Sequence, residues 1–241
     1  DYGFGAAIFR STAMPPPDMW FAGEPINYYY FGHYSFALLA KLTAVRLPVA
    51  YNLMIATLAA LCFSLTFSLA TNLIRAWKPA SLGQCLSGGL VSALLLTFGG
   101  NLHGAVYGHA LPALEALEMV EGPFGSEYQQ RTGDYWYPDA SRYVGHNPPT
   151  DDVTIHEFPF YSFVVADLHG HVANIPFVLT FVALLTASLL GAASGSGSRN
   201  AWRSAARHAL GSGFFLAVFR MTNMWDLPIY FCLAAAFCVC E

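Results

Sequence analysis

Three stretches of the chain gather side chains able to do chemistry. In "ADLHGHVAN", Asp167, His169 and His171 alternate. In an extended segment, which Gly170 permits, all three point one way; on a helix only Asp167 and His171 share a face. Two imidazoles and a carboxylate suit Zn²⁺ or another divalent metal. The plainer expectation is a set of polar residues bonded to each other and to lipid headgroups. In "TIHEFPFYSF", Glu157 stands where a polar loop turns apolar, a place suited to general acid or base work. In "NYYYFGHYSF", Asn27, Tyr28, Tyr29, Tyr30 and His33 offer aromatic faces and hydrogen-bonding groups to a ligand. Arg220 and Arg142 each carry a fork that fits phosphate. "TNMWDLP" adds Asn223, Trp225 and Asp226; an Asp just before Leu-Pro also reads as an ordinary helix start.

These residues need a scaffold, and composition says which kind. The chain has 241 residues, 55% hydrophobic and 11% charged. Soluble domains carry about 25% charged residues. Residues 49–74, 82–99 and 172–193 contain no charge, and a helix needs about 20 apolar residues to cross a bilayer. Weaker runs cover 203–221 and 227–240. The expected fold is an all-α integral membrane protein with about five transmembrane helices. The five cysteines all fall in apolar runs and read as small apolar fillers. Opening on Asp1 and ending after an apolar run, the chain reads as a segment of a longer protein. It divides as one membrane domain: 1–48, a first outer segment; 49–99, spans one and two; 100–171, a large outer loop; 172–241, spans three to five.

Charge orients the loops. Arg75, Lys78, Arg199, Arg203 and Arg207 fall on one side with a single acid, Glu241; the other side then holds the remaining acids. Basic short loops mark the cytoplasmic side, so the polar segments are expected to face outward. This holds if residues 33–47 do not span. Phe36, Leu39, Ala40, Thr43 and Leu47 follow helical spacing, Lys41 and Arg46 interrupt the run, and Pro48 is expected to end it. An interfacial helix on the outer leaflet fits. Arg220, about 26 Å along a helix from Arg203, then reaches the outer headgroup level. Three consecutive tyrosines on a helix turn by about 100° each, so at least one is expected to point inward, toward Glu157 and the "DLHGH" stretch.

With these residues in hand, "PPPDMWFAGEPINYYYFGHY", "IHEFPFYSFVVADLHGH" and "TNMWDLP" resemble an uncharacterised family of bacterial and archaeal multi-span membrane proteins named for a Tyr-Tyr-Tyr motif. More distantly, an acid opening the first outer segment, an interfacial helix and Arg46-Leu47-Pro48 before a span resemble GT-C integral-membrane glycosyltransferases. That resemblance implies a sugar donor on a polyprenyl phosphate and an acid acting on the acceptor, here Asp1. Asp1, Glu157 or Asp167 would be catalytic, Arg220 or Arg142 would hold phosphate, and the tyrosines would hold sugar. The alternatives are a non-catalytic accessory subunit bound to other membrane subunits, and a metal-dependent hydrolase at Asp167, His169 and His171. Membrane lipids are expected partners; nucleic acid is not.

Overall fold

The computed structural model describes residues 1–77, 79–121, 141–146, 149–193 and 201–240. Lys78, Arg199 and Glu241, which enter the charge argument, lie outside the described residues, as does the whole "GDYWYPDA" stretch. The chain is mostly helical. It forms two compact units, Asp1–Ala93 with Ala166–Glu241, and Leu94–Val165.

In the first unit, α1 (Tyr2–Arg10) precedes α2 (Phe31–Thr43), α3 (Leu47–Trp77) and α4 (Leu82–Phe98). After the second unit come α8 (Gly170–Ala193), α9 (Ala201–Thr222) and α10 (Asp226–Cys240). Helices α3 and α8 are long and apolar enough to cross a membrane. The buried positions of α3 are Ile55, Leu58, Cys62 and Thr66, spaced by three or four: a single stripe. Only 22% of its most apolar window is buried. The core helix of a soluble protein would be mostly covered, so the apolar remainder of α3 suits lipid. Helices α4 and α10 are apolar but shorter, about 26 and 23 Å at 1.5 Å per residue. Helix α9 is the most polar of the long helices.

Between lipid-solvated helices there is no hydrophobic drive to associate, so close packing must supply the attraction. Phe181 of α8, Phe219 of α9 and Tyr230 and Phe237 of α10 build one such contact: Phe181 and Phe219 meet edge-on at 5.5 Å, and Phe219 and Tyr230 lie 5.0 Å apart. Helices α3 and α4 meet through Gly89, where a Cβ would come 2.9 Å from the Phe67 carbonyl oxygen.

Helix α2 differs from its sequence expectation in three ways. It starts at Phe31 and stops at Thr43, with Ala44 left-handed at φ 54°. Pro48 does not end it; it lies in the first turn of α3, where a proline's missing N–H costs nothing. The buried face is Gly32, His33, Phe36, Ala37 and Ala40, while the expected Leu39 and Thr43 are exposed. The reason is α1, which lies alongside in parallel. Asp1 meets His33, Gly5 lies against Phe36, and Lys41 reaches the Ser11 carbonyl and the Phe9 ring. Alanines face this neighbour because only small side chains allow so close an approach.

Parallel neighbours need a crossover, and residues 11–30 supply it. Pro17 bridges Pro25, the Asp18 amide donates to the Glu24 carbonyl, and the Asp18 carboxylate accepts from the amides of Trp20 and Phe21 at 2.7 and 3.1 Å. This local turn, of a kind Asp favours, holds Trp20 and Phe21 exposed at its tip.

In the second unit, α5 (His103–Ala105), a π-helical turn (Val106–Ala110) and α6 (Leu111–Ala116) lead toward a hairpin of β1 (Tyr143–His146) and β2 (Pro149–Ile155), followed by α7 (Pro159–Val165). The strands are antiparallel, pairing Tyr143 with Ile155 and Val144 with Thr154. The stretch expected as one large outer loop therefore carries secondary structure of its own.

Candidate functional site

The ends of five helices of the first unit meet at one pole: the starts of α1, α2, α8 and α10 and the end of α9. Gly170, the first residue of α8, shows how closely. A Cβ there would lie 2.5 Å from the Thr222 carbonyl oxygen and 2.7 Å from the Tyr29 ring. Only glycine lets α8, α9 and the tyrosine motif converge.

The tyrosine motif is not helical, as the sequence had suggested. Tyr28 and Tyr29 precede α2, and Tyr30 is its N-cap residue. Free of helical geometry, consecutive rings stack. Tyr28 and Tyr29 lie 4.0 Å apart, and Tyr28 stacks on Phe4 of α1 at 5.3 Å and 7°. Phe4, Tyr28 and Tyr29 thus form an aromatic wall. Asn27, Tyr28, Tyr29, Tyr30 and Arg220 line one cavity of about 650 Å³, completed by Phe31, Tyr34 and the methionines Met14, Met221 and Met224. Four of these ring-bearing residues are consecutive in the chain, and Arg220 comes from the last turn of α9, where a cation also complements the helix dipole. Its side chain is exposed and makes no ion pair among the described residues. The cavity is largely apolar and aromatic with one open cation. It can hold a molecule with an anionic group beside an apolar or sugar-like body.

Asp1 and His33 face each other, 2.8 Å apart, with Nε2 toward Oδ1. The sequence placed His33 among ligand-binding residues; it is 1% exposed and touches Phe4 at 5.3 Å. Burial pushes its pKa down to about 3. The ring is therefore neutral at pH 7. Neutral imidazole has one donor nitrogen; with Nε2–H given to Asp1, Nδ1 carries the lone pair, and this buried atom has no hydrogen-bond partner among the described residues. The Asp1 side chain keeps 19% exposure, and Asp1 does not line the cavity. This pairing spans 32 positions in the sequence and carries no local signal.

Asp167 and Leu168 precede α8; the His169 carbonyl accepts its first helical bond, from Ala173. The Leu168 amide donates to the Tyr51 hydroxyl at 3.1 Å, which fixes the loop to the head of α3. Asp167 Oδ2 lies 3.8 Å from His169 Nδ1, too far for a hydrogen bond, and the His169 and His171 rings are 5.1 Å apart. Asp226, the first residue of α10, accepts from the buried Asn174 amide at 2.6 Å. It ties α10 to α8 and is engaged by protein. Asn223 is buried and its carbonyl accepts the Asp226 amide; Trp225 is largely exposed. None of these three lines the cavity.

Arg142 and Glu157 belong to the second unit, where they pair at 3.1 Å. Arg142 also bonds the Tyr161 hydroxyl and lies over its ring at 4.7 Å. The sequence had offered Glu157 as a base and Arg142 as a phosphate ligand; the two are paired with each other.

A helical scaffold with bilayer-length helices, and a site assembled where helix ends converge, define an integral membrane protein. The chain belongs to the family described as uncharacterized membrane protein (DUF2298), which matches residues 1–241. No curated protein and no solved structure matches the chain.

Proposed function

We propose that this chain is the membrane module of a transferase that takes a sugar from a polyprenyl-phosphate donor at the outer membrane face. The carrying observation is the cavity of about 650 Å³ that joins Asn27 and Tyr28–Tyr30 to Arg220, which has no ion pair among the described residues. The cavity supplies two parts of the reaction, and the Asp1–His33 pair, outside its lining, supplies the third. Tyrosine faces stack on a sugar, and the guanidinium stabilises the departing phosphate. Asp1, oriented by His33, takes the acceptor hydroxyl proton as the oxygen bonds the anomeric carbon and the carbon–oxygen bond to phosphate breaks. The five-span, GT-C-like topology, with the site at the outer surface of a bacterial or archaeal membrane, is part of the same proposal. It rests on the basic residues of the short loops.

The test uses the full-length protein in lipid nanodiscs with a labelled polyprenyl-phosphate sugar. Transfer to an acceptor hydroxyl is expected. Asp1→Asn should lower it about 100-fold or more while donor binding stays. Wild-type rates in Asp1→Asn would remove Asp1 from the mechanism, and absence of donor binding would overturn the reading.

A second reading has one observation behind it: Asp167 Oδ2 lies 3.8 Å from His169 Nδ1, whose ring lies 5.1 Å from that of His171. In this reading a divalent cation occupies the "DLHGH" turn. Metal analysis of the purified protein tests it; metal-free protein with chelator-insensitive activity sinks it.

A further inference from the structure

Residues 16–26 form a spike with fixed feet. Pro16 and Ile26 are buried, and the Ile26 amide donates to the Pro16 carbonyl at 2.9 Å. Above them Pro17 bridges Pro25, and the Asp18 amide donates to the Glu24 carbonyl at 2.8 Å. Gly23, at φ 95°, lets the chain turn back. At the tip stand Trp20 and Phe21, 84% and 67% exposed. Two adjacent large rings held this open on a braced turn mark an interaction surface.

Where the spike is rooted, and how its backbone is satisfied, say what covers it. Its second leg runs on into Asn27, Tyr28 and Tyr29. The Tyr29 ring lies against Gly170, the first residue of α8, which is long and apolar enough to cross a membrane. The spike therefore springs from the level at which such a helix begins. In a bilayer that is headgroup depth, where tryptophan is enriched. A tip can enter the boundary between headgroups and acyl chains cheaply only if its backbone N–H groups already have partners. Those of Trp20 and Phe21 do, in the Asp18 carboxylate. The Glu24 amide donates to the Phe21 carbonyl at 3.3 Å. The acid nearest the rings is thus turned onto their own amides. No Lys or Arg lies between Arg10 and Lys41, so the spike has no charge with which to seek an anionic partner.

We propose that this spike is a membrane wedge: Trp20 and Phe21 sit at the boundary between headgroups and acyl chains, as a contact separate from the membrane-crossing helices. The rings hold the bilayer by apolar burial and not by charge, so the contact needs no anionic lipid. It does not depend on what occupies the cavity.

The test uses the full-length protein labelled with fluorotryptophan in phosphatidylcholine nanodiscs. The fluorine signal that disappears in Trp20→Phe belongs to Trp20; the residue is exposed, so this substitution leaves the packing intact. Phe21→Trp adds a second reporter at the tip. Lipid carrying a nitroxide high on its acyl chain should remove most of both signals. A water-soluble gadolinium chelate should leave most of both. Replacing part of the lipid with phosphatidylglycerol, or raising the salt, should change neither result. Signals lost to the chelate and spared by the labelled lipid would place the tip in water and overturn the wedge. Signals spared by both would mean that protein covers the rings, another copy or another subunit, and would overturn it equally. Contact that appears only with phosphatidylglycerol would overturn the charge-free mode of binding.

Discussion

Arg142 and Arg220 are the same side chain in two different situations. Arg142 stands in the second unit with Glu157 at 3.1 Å and the Tyr161 ring beneath it. Arg220 ends α9 beside a tyrosine-lined cavity, exposed and with no ion pair among the described residues. A guanidinium is always charged, so what separates the two is whether the protein already supplies the anion. Arg142 has spent its fork on a carboxylate and a hydroxyl. Arg220 has no ion pair among the described residues. On the proposed reading, the difference gives Arg142 a part in holding its unit together and Arg220 a part in binding.

The largest effect that could break this contrast is on ligand binding. Arg220→Ala should weaken polyprenyl-phosphate binding by roughly 10- to 100-fold, the range for losing one charge-assisted hydrogen-bonding group. Arg142→Ala should change it by about twofold at most. Titration of both variants in nanodiscs checks this; equal losses would erase the distinction.

Next comes Gly170→Ala, which touches neither arginine. Its Cβ would collide with the Thr222 carbonyl and the Tyr29 ring, and at least one must move. Overpacking of this kind costs about 1–3 kcal/mol. A lower unfolding temperature together with weaker ligand binding is expected, because Tyr29 is both packing and cavity wall. Normal stability and normal binding would show that the convergence at this pole is looser than described.

Stability should reverse the order of the arginines. Arg142→Ala leaves Glu157 partly buried without its cation. Since the two side chains keep 29% and 18% exposure, solvent screens the pair and the loss should be about 1 kcal/mol. A double-mutant cycle with Glu157→Gln should return a coupling of similar size. Arg220→Ala should cost less, about 0.3–1 kcal/mol from the helix dipole. Thermal unfolding in detergent compares them.

The contrast also marks what could be read in the sequence. The membrane helices were legible because α3 and α8 are long runs without charge. The tyrosine motif and Arg220 were legible as chemistry, because aromatic clusters and a cation near the end of an apolar run are local signals. Which arginine was already neutralised was not legible: Arg142 and Glu157 are fifteen positions apart and meet only through a hairpin. Helix α1 escaped notice because "YGFGAAIFR" is short and rich in small residues. With it went the true face of α2, since the alanines that mark that face mean burial only when a close neighbour is known. The Asp1–His33 pair escaped for the same reason. Asp226 shows a third case: it begins a helix as the plain reading expected, while its contact with Asn174, 52 positions away, carried no local signal.

The smallest predicted effect is the most discriminating. Arg220→Lys keeps the charge and removes the planar fork. If Arg220 serves only to attract a negatively charged membrane surface, lysine should replace it without loss, and the binding of both forms should weaken alike with salt. If it grips a phosphate through two parallel hydrogen bonds, lysine should bind several-fold more weakly at every salt concentration, because an ammonium is a point charge. At Arg142 the same substitution should leave ligand binding unchanged and lower only stability, through the lost stacking on Tyr161 and the lost fork to Glu157. A salt series on these two lysine variants therefore separates a phosphate site from a basic patch, and does so at the arginine of the two that has no ion pair among the described residues.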